Sequence, residues 1–372
     1  MKFSKFLLSL LAPVSAIVFS LAVGAVVLLI VGINPLDAYG QMLSFSTDST
    51  SLASTINRAV PLYVSAVAVA IGFQMNLFNI GVEGQYLIAA MFAGWVGTNV
   101  VLWGPLHITV IVLAAVIVGA IWAGIAGALK VTRGVNEVIS TIMLNFIAFS
   151  AIAYLLANRF SVESESLNLS TGKLPPSGRL PDLNWMITMF GFAEPRGVAI
   201  PGFLIGAIVI GAVYYILVWR TRFGFDLRIS GMNPGSARMS GVNPKKMVFY
   251  TMLISGGIAG LVGVSTLVGK LGAYTQDFPR GLGFTGIAVA LLGRNHPVGM
   301  ALGALLFGIM DRAALVLKLE GIPEEIVVII QGVIVLAVVI AYEIFGRIIA
   351  KREVKAAAAA LDQLDKGVEV TV

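Results

Sequence analysis

Few side chains in this sequence can carry out chemistry, and those few stand where water is scarce. There is no cysteine, and the two histidines, His107 and His296, are far apart. A disulfide, a haem-thiolate or a Cys-zinc site is thereby excluded. What remains is a set of charged and amide residues in or beside apolar stretches: Glu83, Glu137, Asp311, Arg312 and Glu343, with Asn79, Gln85, Asn136 and Asn145. A charge at the centre of a bilayer costs about 2.5–3.5 kcal/mol on insertion scales. Such groups must face protein or water. They can tie helices together, cap helix ends or hydrogen-bond a polar solute. They do not form a nucleophile with its base, so no catalytic residue, cofactor or metal site is expected.

The elements that position these residues are helices in a membrane. Of the 372 residues, 58% are hydrophobic and 12% charged, about half the charged share of a soluble domain. The apolar residues come in blocks of roughly twenty with no polar face, too long for barrel strands. The expected class is all-α, a polytopic membrane protein of about ten transmembrane helices. Their approximate spans are 7–32, 58–75, 83–101, 107–129, 138–157, 201–219, 247–268, 282–293, 297–317 and 326–346. The first, within segment 1–33, is too long for a cleaved signal. Segment 58–157 forms a first helical half and 247–347 a second. Between them lie an external polar loop (158–200), a sixth helix (201–219) and a basic loop (220–246), and a charged tail, 348–372, follows. Lys130, Arg133, Arg220, Arg222, Lys245 and Lys246 gather on one side, which places both termini in the cytoplasm by the positive-inside rule. Segment 282–293 is short for a crossing, since twelve helical residues span about 18 Å.

A faint internal repeat relates Gly84–Gly94 to Gly283–Gly293 and Gly134–Met143 to Gly321–Ile330. The copies face opposite sides of the membrane, the pattern of inverted halves in transporters. The G-x-G-x-x-G at Gly281–Gly286 lacks the strand and the later acid of a dinucleotide site and reads as a helix-packing or helix-breaking cluster. No phosphate-binding loop is present, so ATP is not bound by that means. The basic loop is the most informative water-facing element. Asn233-Pro234 starts a short helix at about 234–240, Gly241 stops it, and Asn243-Pro244 starts the next span. A plain connector needs none of these signals, whereas a capped cytoplasmic helix is what a partner protein would grip.

Several motifs in order resemble one family: NxGxEGQ (Asn79 to Gln85), VNEVISTIMLN (Val135 to Asn145), GMNPGSARMSGVNP (Gly231 to Pro244), GFTGIAVALLGRNHPVG (Gly283 to Gly299) and GIPEE…QG (Gly321 to Gly332). These are similar to the branched-chain amino acid/ribose-type permeases of bacterial ABC importers, above all the nucleoside branch, over roughly residues 60–345. The resemblance implies a permease subunit in the inner membrane with inverted halves. It also implies an ABC ATPase subunit, a second permease subunit forming a heterodimer, and a substrate-binding lipoprotein as partners. No nucleic acid is implied. It makes residues 231–241 the coupling helix docked on the ATPase, with Gly231, Asn233, Ala237, Arg238 and Gly241 as the coupling residues. For a nucleoside pathway the candidates are Asn79, Glu83, Gln85, Asn136 and Asn145, each of which serves equally as a cap or an interhelical tie.

Import of a simple sugar is the nearest alternative, and a self-sufficient secondary transporter using Glu83 or Glu137 is a third reading. For Asn76–Gln85 the plain reading is a break between helices near the inner face, with Asn79 as cap and Glu83 at the positive end of its own helix.

Overall fold

The computed structural model describes residues 18–19, 21–26, 28–30, 32–44, 48–162, 168–189, 191–319 and 325–338, with 340, 341, 344, 347 and 351. Glu343, the start of the expected first helix and nearly all of the tail lie outside the described residues.

The chain divides into two units, residues 43–313 and residues 1–42 with 314–372. The smaller unit holds α1 (Leu21–Ile30) and α14 (Glu325–Val338), with α2 (Pro35–Ser44) between them in sequence. The Tyr39 hydroxyl donates to the Leu21 carbonyl at 2.8 Å. A Cβ at Gly24 would lie 2.6 Å from that hydroxyl and 3.1 Å from Ile330, so the glycine lets α1, α2 and α14 approach closely.

In the larger unit, α3 (Ser49–Phe73) runs through the centre, and Val64 to Gly72 are fully buried. It begins nine residues before the apolar run does. Asp48 caps it by accepting from Thr50 N at 3.2 Å, and Ser49, Ser51, Ser54 and Thr55 are buried. Short hydroxyl side chains pack against protein here, which an apolar-length criterion cannot register. Then follow α4 (Val82–Asn99), α5 (Gly104–Arg133) and α6 (Glu137–Leu155), the last prolonged by a π-helical turn at Leu156–Phe160. A loop with the short α7 (Asn184–Met189) leads to α8 (Phe203–Arg220).

The basic loop holds two helices, α9 (Arg222–Met232) and α10 (Pro234–Met239). The first of them was not expected, because its sequence, RFGFDLRISGM, is neither a sustained apolar run nor strongly periodic. After α11 (Pro244–Gly260) comes a π-helical stretch, Thr266–Leu271. Then follow α12 (Leu282–Leu292) and α13 (Pro297–Leu319).

Small residues set the packing. A Cβ at Gly119 would fall 2.3 Å from the Gly256 carbonyl, and one at Gly260 would fall 2.1 Å from that of Ala115, so α5 and α11 meet backbone to backbone. Gly308 likewise brings α13 onto Thr55 and Ala59 of α3. Gly202 instead lies against the Pro181 carbonyl in the polar loop. Large apolar residues point outward: Ile117 and Ile121, Phe146 and Ile147, Ile208 and Val213 are more than half exposed. Buried small residues and exposed bulky ones are what a lipid-embedded bundle requires. Among the described residues, five helices, α3, α5, α6 with its π turn, α8 and α13, are long and apolar enough to cross a membrane.

Candidate functional site

The broken segment between α3 and α4 is the polar heart of the larger unit. Asn79 Nδ2 donates to Ser255 Oγ at 2.9 Å and to Gln85 Oε1 at 3.0 Å. Gln85 Nε2 donates back to Asn79 Oδ1 at 2.9 Å, and Ser255 Oγ donates to the Ala68 carbonyl at 2.6 Å. Asn145 on α6 clamps the same break: its Oδ1 accepts from Gly84 N at 2.9 Å and its Nδ2 donates to the Ile80 carbonyl at 3.0 Å. Asn79, Gln85 and Asn145 are all at least 97% buried. Through Ser255 of α11 and Ala68 of α3 the Asn79 end of the break is tied into the bundle, while Asn76 at its other end is exposed beside Gly231. The cap position of α4 is Gly81, and Asn79, two residues before it, accepts from Gly81 N at 3.1 Å.

Glu83 is 2% exposed, and its partner is a different helix from its own. Its Oε1 accepts from Gly281 N at 2.6 Å and its Oε2 from Gly283 N at 2.8 Å. The Tyr86 hydroxyl lies 3.1 Å from Oε1 and 2.8 Å from the Pro279 carbonyl. Glu83 thus caps α12, whose own cap residue, Gly281, has no side chain and sits at φ +89°. The glycines of the false dinucleotide motif have other uses. A Cβ at Gly283 would lie 2.4 Å from Glu83 N, and one at Gly286 2.0 Å from Ser65 Oγ. That serine donates to the Leu282 carbonyl at 2.8 Å. With 11 residues α12 is about 16 Å long, half of a membrane span.

Asn136 stands apart from this network. It is exposed and caps α6, accepting from Val138 N at 2.8 Å. Glu137 pairs with Lys130 across the α5–α6 turn. Asp311 approaches Arg58 of α3, with 4.0 Å between charged atoms. His107 is a structural residue, buried between Ser177 Oγ and the Gly97 carbonyl at 2.9 Å each. A cleft of about 700 Å³ between α3, α8 and α13 is almost wholly apolar, with Tyr63, Tyr215 and His296 on its wall.

At one end of the unit, α9 and α10 present the second candidate surface. Asn233 Oδ1 accepts from Gly235 N at 2.9 Å and Ser236 N at 3.1 Å, and Gly241 is left-handed at φ +79°. Asn243 caps α11 by accepting from Lys246 N at 3.2 Å. Arg238 is exposed, whereas Ala237 is fully buried and faces the protein. Gly231 is a seat: a Cβ there would lie 2.7 Å from Met75 Cα, and Asn76 Nδ2 donates to its carbonyl at 3.0 Å. Met232 and Met239 are 84% and 91% exposed, and Phe225 is 54% exposed. Large apolar side chains in a basic segment signalled this surface, although only the caps had drawn attention to it. Two clefts of about 420 and 320 Å³ flank it, lined by Arg222, Asp226 and Lys246 and by Lys130, Gly231 and Lys245 respectively.

A multi-pass helical membrane protein with broken inner helices and a capped helix on a basic end has the architecture of a transport subunit. Residues 51–339 match the family described as branched-chain amino acid transport system / permease component, and the chain belongs to that family. Among its relatives are three that carry a transport name. The glucose ABC transporter permease TsgB13 of Haloferax volcanii is 34% identical over 87% of this chain and 85% of its own. The guanosine ABC transporter permease NupP of Bacillus subtilis is 35% identical over 90% and 94%. The nucleoside ABC transporter permease NupB of Lactococcus lactis subsp. cremoris is 30% identical over 89% and 91%.

Proposed function

We propose that this chain is the membrane subunit of an ABC importer for nucleosides, passing cargo from an external binding lipoprotein to the cytoplasm. The observation that carries the reading is family membership together with a capped helix, α10, that displays Met239 and Arg238 at a basic end. A partner ATPase would dock there, since an exposed apolar patch rimmed by charges marks a protein interface. Ala237 then seats the helix, and Met232, Arg238 and Met239 meet the partner.

The packing supports inverted halves. In the first half α5 packs on α11 through Gly119 and Gly256, and in the second α13 packs on α3 through Gly308, as exchanged copies would. Ten crossings follow if α4, α11, α12, α1 and α14 complete the set. The basic end faces the cytoplasm with both termini, the loop at 158–200 faces outward, and the second permease is a related chain, giving a heterodimer in the plasma membrane. The break at Asn79–Gln85, with Asn145, is the joint of the pathway. Asn136 takes part only as the cap of α6.

Two of the three named relatives carry guanosine or nucleoside in their names, which favours nucleosides. The glucose permease supports a second reading, a simple sugar. Uptake into cells holding the chain with its ATPase, companion permease and lipoprotein separates them. Labelled nucleoside should accumulate, and unlabelled glucose in excess should not compete. Accumulation of glucose alone assigns the sugar. Full energised uptake after deletion of the ATPase refutes the importer reading.

A further inference from the structure

The importer reading leaves Glu83 without a task, and its geometry supplies one. The first turn of α4 carries the carboxylate, and the cap residue Gly281 and first-turn Gly283 of α12 supply the two backbone N–H groups that it accepts from. Two helix N-termini, each worth about half a positive charge, therefore converge on one buried negative charge. Gly283 lies against the Glu83 backbone, and the Tyr86 hydroxyl lies between Oε1 and the Pro279 carbonyl.

The same break is continuous with the basic end. Gly231, which precedes α10, rests on Gln74 and Met75, and Asn76 donates to the Gly231 carbonyl. From there the chain runs through Asn79, pinned to Ser255, to Glu83. A shift of α9 and α10 thus reaches the foot of α4 within ten residues of sequence. It passes to α12 through the carboxylate.

We propose that Glu83 is a positioning residue for transport, a clamp that makes α4 and α12 move as one body when the α9–α10 surface is displaced. Without the carboxylate, the N–H groups of Gly281 and Gly283 are buried and unpaired, and two positive helix ends face each other.

The test uses Glu83→Ala and Glu83→Gln in the complete transporter, with formate as a free carboxylate. The proposal rests on the importer reading, so a second readout, the melting temperature of the purified chain, needs no cargo. Glu83→Ala should lower maximal uptake about tenfold or more with little change in KM, because buried donors are left unpaired. Formate should restore part of that uptake and raise the melting temperature of Glu83→Ala, while leaving the wild type unchanged. Glu83→Gln fills the space and should show a smaller loss of maximal uptake that formate does not relieve. If Glu83→Ala does not fold, a Glu83→Gln variant with unaltered maximal uptake overturns the clamp. So does a Glu83→Ala protein with wild-type uptake, or one in which formate moves neither uptake nor melting. Should the wild type carry no nucleoside, the importer reading fails on its cargo while the formate-dependent melting shift still decides the clamp.

Discussion

The broken junction around Glu83 and the α9–α10 end are both polar breaks in an apolar chain, yet they are built in opposite ways. At the junction Asn79, Glu83, Gln85 and Asn145 are buried and each has a protein partner. At the basic end Met232 and Met239 stand in the open beside exposed Arg238, and the short helix is held from behind by buried Ala237. A buried network with all its hydrogen bonds made is costly to disturb and fixes one arrangement. An exposed apolar patch costs little to change and is useful only when something covers it. Mutations should therefore separate stability from activity: the junction should lose both, the basic end only activity.

The largest effect is expected for Gly283→Val. Its Cβ would fall 2.4 Å from Glu83 N, against backbone that cannot move aside. The protein should fail to fold, seen as loss of a monodisperse peak in detergent. Asn145→Ala comes next, leaving Gly84 N buried and unpaired at about 1–3 kcal/mol and taking from the half-buried Ile80 carbonyl its amide donor. A drop in melting temperature should accompany the fall in uptake; an unchanged melting temperature would erase the difference between junction and basic end.

Met232→Asp with Met239→Asp should do the reverse. Melting should stay within about 0.5 kcal/mol of wild type, while ATP-driven uptake is lost and the ATPase no longer copurifies. Asn233→Ala removes the α10 cap and should cost about 0.5–2 kcal/mol locally, read as faster amide exchange over 234–240 with reduced uptake. Arg58→Ala should matter least. The pair with Asp311 is 4.0 Å apart and about one-third exposed on each side, so at most about 1 kcal/mol is at stake.

Legibility in the sequence followed the range of the interaction. Asn233 and Asn243 cap helices that begin at the very next residue, and both were readable because an Asx cap bonds only two or three positions away. The membrane class was readable because hydropathy is a local sum. The presence of an acid at Glu83 was legible, but its partners lie about two hundred residues ahead. The reading therefore saw only its own helix end, where it does stand in the first turn of α4, and missed that it also caps α12. The early start of α3 was missed because Ser and Thr count as polar although here they are buried. At Ala237 spacing identified the helix and left open which side faces the protein, which depends on how α10 lies on α9.

The distance between Glu83 and Gly283 also has a meaning in time. A ribosome adds about 5–20 residues per second, so the two hundred residues between them take about 10–40 s to emerge. For that interval α4 exists and α12 does not, and a carboxylate meant for a dry interior has neither of its N–H partners. The nascent chain must keep it near water or the insertion machinery, and the arrival of α12 is what releases it. The final third of the protein, by this account, completes a helix pair that the first quarter began.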